Sequence, residues 1–199
     1  MKNAIIIAVA LAVGFGAGWI SKPIPTFERE ELPQGGAEMP IVEPEPLPGY
    51  TFPIAEEDFL MKTSPFGVRV SPLLGIEMRH IGLDIAGVWQ CQIVAIADGV
   101  IKEHYPPPGT RSPAGWQYRG HELYGGMILI DHGEGVESLY GHLSSTRVRE
   151  GQRVRAGQVI GRQGATGKAV GAHLHIEIIV DDEPRNPLLY LPDIEEGRR

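Results

Sequence analysis

From about Phe59 onward, apolar and polar positions alternate in short runs broken by glycine. HIGLDIAG (80–87), QIVAIADGVIKEHY (92–105), GGMILIDHG (125–133), ESLYGHLS (137–144), RVREGQRV (147–154), QVIGRQG (158–164) and HLHIEIIV (173–180) each carry β-branched residues or a period of two. That is the signature of half-buried strands. Turn-forming clusters such as Ala97-Asp98-Gly99 and His132-Gly133-Glu134-Gly135 separate them. No stretch of ten or more residues keeps a helical period. The pattern predicts an all-β domain over 59–192, a compact antiparallel sheet or sandwich. One segment, Pro106 to Glu122, interrupts the strands and is long for a hairpin connection. It reads equally as a loop that shapes a binding site and as a plain insertion.

The pattern is different at the N-terminus. Ala4 to Ile20 form 17 consecutive apolar or glycine residues behind Lys2. Such a run is at the short end of a membrane span and has no polar face to place it in a soluble core. It reads as an uncleaved helical anchor over 1–20, with a cleaved signal segment as the alternative, Gly16 and Gly18 offering a processing site. Either reading puts the remainder outside the cytoplasm, on the periplasmic side. Residues 21–58 are rich in proline and glutamate without period and predict an extended, disordered acidic linker. In polyproline form it would reach on the order of 100 Å at about 3.1 Å per residue. Residues 193–199 form a short polar tail.

The 199 residues carry a formal charge of −7, which argues against nucleic acid as a partner, since phosphate binding needs clustered cations. The single cysteine, Cys91, excludes an intrachain disulfide and a paired-cysteine metal site. Its apolar surroundings predict a buried thiol.

The chemistry, if any, lies with the histidines. His173 and His175 are two apart in a strand pattern, so they share one face with Glu177, opposite Leu174, Ile176 and Ile178. Such a pair can bind a metal, transfer protons, or simply decorate a polar face. His80 and Asp84 would lie about 13 Å apart in a flat strand, too far to share an ion, unless the chain bends at Gly82. His142, after a strand, and His104, His121 and His132, in turns or the insertion, read as structural by default.

Together these segments carry a resemblance. HIGLDIAG, YGHLSS and GAHLHIEI, in that order, resemble the three signatures of the lysostaphin-type zinc endopeptidases. The connecting segments SPFGVR, ADGVI, DHGEG and VREGQRVRAGQVIGRQGATG are similar too, so the likeness runs from about Ser64 to Pro187. It implies one zinc ion held by His80, Asp84 and His175. His142 and His173 would then be the catalytic histidines beside metal-activated water. The implied substrate is the peptide part of bacterial peptidoglycan, in a cross-link or an interpeptide bridge. Two departures stand out: Ala172 replaces a usual proline, and Ala169-Val170-Gly171 replaces a usual Ser-Thr-Gly.

Two rival readings follow. A non-catalytic relative that binds the wall or activates other hydrolases would be expected to lack ligands, and none is missing here. A lipoyl-like carrier, suggested by GQRVRAGQVIG, needs a lysine at the hairpin tip and has none. The implied partners are peptidoglycan peptides and, through the N-terminal segment, a membrane; a regulatory protein partner is left open.

Overall fold

The computed structural model of the protein describes residues 49–70 and 75–194. The expected span over 1–20, most of the linker and the last five residues lie outside them. Thirteen strands follow in order: β1 (Phe59–Ser64), β2 (Gly67–Val70), β3 (Glu77–His80), β4 (Leu83–Gly87) and β5 (Gln92–Val94) come first. β6 (Gly99–Tyr105), β7 (Gly126–Gly133), β8 (Val136–Leu143) and β9 (Ser145–Thr146) form the middle. β10 (Arg153–Val154), β11 (Val159–Arg162), β12 (Leu174–Val180) and β13 (Glu183–Arg185) complete them. Among the described residues the helical elements are two three-residue 3-10 turns, Glu56–Asp58 and Pro187–Leu189. The all-β expectation therefore holds for the described domain.

The main sheet runs β1-β4-β12-β8-β7-β6-β10, with β13 also paired to β12. A three-stranded sheet, β5-β11-β9, and the β2-β3 hairpin accompany it, and every pairing is antiparallel. Alternation sorts the side chains. Ile128 and Ile130 of β7, Tyr140 of β8 and Leu174, Ile176 and Ile178 of β12 point into the main core. Met127, Leu129 and Leu139 gather on the opposite face with Tyr124 and Ile179. Alternation along β12 turns His175 and Glu177 toward that second face. Cys91 is buried, as its surroundings predict, and burial followed by the charge of Asp58 pushes its thiol up to about 11.

The packed domain reaches back past Phe59. Phe52 and Ile54 are core residues, Ile54 bridges to Ile93, and the Thr51 amide donates to the Ile96 carbonyl. Composition placed these residues in the linker because prolines surround them, but their apolar side chains are drawn into the core. At the other end Ile194 packs against the same core, inside the segment read as a tail.

Candidate metal centre and active site

Three segments distant in sequence meet at one point on the second face. β3 ends at His80, the chain turns through Ile81 and Gly82, and Asp84 follows as the second residue of β4. The bend needs glycine: a Cβ at Gly82 would lie 2.6 Å from both Cε1 of His175 and the Ile176 carbonyl oxygen. β12 lies between β4 and β8, which sets His175 directly opposite Asp84 on one side and Gly141 on the other.

His80, Asp84 and His175 each offer one ligand atom, and these atoms all lie within 4.8 Å of one another. All three residues are buried. Nε2 of His80 is 3.2 Å from Nδ1 of His175 and 3.2 Å from Oδ1 of Asp84, and Nδ1 of His175 is 2.7 Å from that same oxygen. The outer nitrogens are engaged elsewhere. Nδ1–H of His80 donates to the Pro65 carbonyl at 2.8 Å, and Nε2–H of His175 donates to Oε1 of Glu177 at 2.9 Å. One imidazole thus offers Nε2 and the other Nδ1, each with its ring fixed from behind. Two imidazoles and a carboxylate, buried, convergent and oriented in this way, fit a zinc ion with a position left for water or substrate.

The local electrostatics follow from this crowding. Burial alone would raise the carboxyl pKa of Asp84, but hydrogen bonds from His175 and His80, and their charges, hold it well below the usual range. Burial likewise disfavours a charged His175, yet its bonds to Asp84 and Glu177 prevail and raise it to about 9. Nη2 of Arg69 approaches the outer oxygen of Asp84 at 3.4 Å.

His142 and His173 stand beside this trio. Their rings are 4.7 Å apart, and the His142 ring is 5.9 Å from that of His175. His142 is held at a φ of 62°, a left-handed conformation that a non-glycine residue keeps only under constraint. Here the His142 amide donates to the Tyr124 carbonyl at 2.7 Å and Nδ1–H donates to the Thr166 carbonyl at 2.8 Å. Burial, then the neighbouring His173, pushes His142 down to about 4. His173 donates Nδ1–H to the Gly171 carbonyl at 2.9 Å, and its Nε2 lies 3.7 Å from Asp84. All five residues singled out in the sequence are therefore brought together, around a cavity of about 680 Å³.

The structure adds residues that sequence reasoning did not assign. Glu177 is 2% exposed and accepts from both His175 and the Tyr124 hydroxyl. Tyr124 stacks on His175 at 5.5 Å, and Gly141 leaves the space for it, since a Cβ there would meet the tyrosine ring at 3.2 Å. Burial and then the bond to Glu177 raise the Tyr124 phenol. His121 also stacks with the Tyr124 ring, at 5.0 Å. His104 bonds Thr146, and His132 bonds the Asp98 carbonyl and Ser138, so these two serve the scaffold.

The long insertion is ordered on itself. Ser112 bonds Trp116, Gly109 bonds Tyr118, and Arg111 bridges Gln117, which makes a small hairpin. The chain returns from it through Leu123 and Tyr124, which form one wall of the cavity.

A family model described as "Peptidase family M23" matches residues 78–187. A DD-carboxypeptidase/endopeptidase, Mpg, of Neisseria meningitidis is 39% identical over 127 residues, covering 63% of this chain and 26% of that protein. The murein hydrolase activator NlpD of Escherichia coli is 40% identical over 113 residues, covering 56% of this chain and 26% of that protein. The match thus spans about a quarter of the length of these curated relatives. A crystal structure of a zinc-containing peptidase from Vibrio cholerae superposes with a TM-score of 0.59 at 27% identity, over 74% of this chain and 41% of that one. With the model covering more than half of its length and every expected histidine in place, the chain belongs to peptidase family M23.

Proposed function

We propose that this chain is a zinc-dependent endopeptidase that hydrolyses peptide bonds of bacterial peptidoglycan. The observation that carries the reading is the convergence of His80, Asp84 and His175 with His142 and His173 at their side. In this reading His80, Asp84 and His175 hold one zinc ion. When bound, zinc supplies polarisation of the scissile carbonyl and acidification of a water molecule.

The protein's own groups do the rest. Glu177 and the Pro65 carbonyl hold the two ligand imidazoles in their ligating tautomers. With Nδ1–H tied to Thr166, His142 turns an unprotonated Nε2 toward the cavity, and its depressed pKa keeps it neutral near pH 7. His173, tied to Gly171, presents Nε2 in the same way. Two imidazoles side by side can take the proton of the attacking water, steady the developing oxyanion once protonated, and return a proton to the leaving amine.

The name of the Neisseria relative, a DD-carboxypeptidase/endopeptidase, supports endopeptidase action. The apolar run Ala4 to Ile20 and the proline- and glutamate-rich segment after it support an extracytoplasmic peptidase domain, held near a membrane and able to reach the wall. A second reading is favoured by NlpD, a relative described as an activator of murein hydrolases. Metal analysis of the purified chain, together with product analysis on purified peptidoglycan, separates the two. One zinc per chain and newly released amino and carboxyl termini are expected. Zinc without any cleavage would replace the enzyme with the activator.

A further inference from the structure

Both acids that line the cavity are committed internally, Asp84 to His80 and His175, and Glu177 to His175 and Tyr124. The remaining ionic groups on its wall and rim are all cations: Arg69, Arg79 and Lys168. This runs against a chain whose net charge is −7. Among the described residues none of the three is closely paired with a buried acid. Arg69 approaches the outer oxygen of Asp84 at a long 3.4 Å. Lys168 lies 3.8 Å from Glu122, whose side chain is 91% exposed. Arg79 sits over the Phe66 ring at 5.9 Å and has no carboxylate within ion-pair distance among the described residues. Between the cations, Met78, Leu123 and Val170 expose apolar surface.

We infer that this rim recognises a free carboxylate on the substrate, next to aliphatic arms of the peptide. The inference rests on the peptidase reading and narrows its substrate to anionic peptides. Guanidinium groups pair with carboxylates through a fork of N–H donors, and a concave wall of one charge sign concentrates ligands of the other. A neutral bridge made only of glycine offers such a rim nothing to hold. A cross-link whose neighbouring carboxylate is free offers it an anion, and the same cross-link amidated does not.

The test uses the zinc-loaded full chain and a matched pair of cross-linked stem-peptide dimers, one with free and one with amidated carboxylates. The free form should be cut with a kcat/KM on the order of tenfold higher, carried mainly by KM, as expected for a charge-assisted hydrogen bond. That preference should shrink as salt is raised. In the Arg79→Gln, Lys168→Gln double variant the ratio should fall toward one while zinc content stays at one per chain. Equal cutting of both dimers by the natural chain overturns the inference and leaves the peptidase reading standing. A preference that survives in the double variant with its zinc intact also overturns it. Cleavage of neither dimer overturns the peptidase reading itself, and this inference with it.

Discussion

Nε2 of His175 lies 2.9 Å from Oε1 of Glu177, two residues further along the same face of β12. The same carboxylate oxygen takes the Tyr124 hydroxyl at 2.5 Å. One buried acid therefore both orients the His175 imidazole and holds the aromatic ring stacked on it.

Glu177→Gln keeps the shape and removes the charge, so the fold should survive while zinc affinity falls by about 10–100-fold. Tyr124→Phe should weaken zinc binding less, since it removes only a donor to Glu177. Competition with a coloured chelator measures both. Unchanged affinity in Glu177→Gln would show that the carboxylate contributes packing alone.

The two histidines of the HxH pair should separate in the laboratory. His175→Ala and Asp84→Ala should lose zinc and, with it, stability, because metal binding and folding are coupled. His173→Ala and His142→Ala should keep about one zinc and lose hydrolysis by about 10²–10⁴-fold. The 3.7 Å approach of His173 to Asp84 makes the competing arrangement concrete. A metal-free His173→Ala beside a zinc-bound Asp84→Ala would exchange their roles.

Zinc uptake should depend on pH through His175. In the metal-free protein this imidazole is raised from 6.5 to about 9, so the ion must displace a proton over that range. Affinity should climb by roughly tenfold per pH unit up to about pH 9 and then level. Metal-free stability should run the other way. A histidine raised on folding stabilises fully below about pH 6.5, and that contribution is lost as pH rises through about 9. The lowered groups His142, His132 and His104 act at more acid pH, and Asp84 below the normal carboxylate range. Thermal melts of the chelator-treated protein between pH 7 and 9.5 should therefore show a falling midpoint, and the His175→Ala variant a flatter one.

Gly82→Ala tests the bend. The new methyl would sit 2.6 Å from His175 and from the Ile176 backbone, and neither neighbour can retreat without disturbing β12. A loss of about 1–3 kcal/mol is expected, together with weaker zinc binding. Denaturant unfolding of the metal-free and zinc-loaded forms separates the two effects.

What the sequence made legible was whatever rests on local periodicity. The two-residue alternation put His173 and His175 on one face and Leu174, Ile176 and Ile178 in the core, as found. A glycine between His80 and Asp84 was enough to anticipate the turn. Glu177 was visible on the face of His175 by the same alternation, but its tie to Tyr124 spans 53 positions and leaves no local trace. Arg69 meets Asp84 only because the β2-β3 hairpin folds back, and β2 is too short to announce itself. The early core residues Phe52 and Ile54 were hidden among prolines, where composition speaks louder than two apolar side chains.

His80 and His175 are 95 positions apart, and the strands that carry Asp84 and His142 flank β12 on either side. Few contacts of such long range can form early, because closing a loop of that size costs chain entropy before any interaction offsets it. His80, Asp84 and His175 come together only when the last long strand has slotted between β4 and β8. Zinc capture is thus a clock for the final step of refolding: the rate at which the ion is taken up should match the slowest phase of structure formation and stay independent of zinc concentration once the ion is in excess.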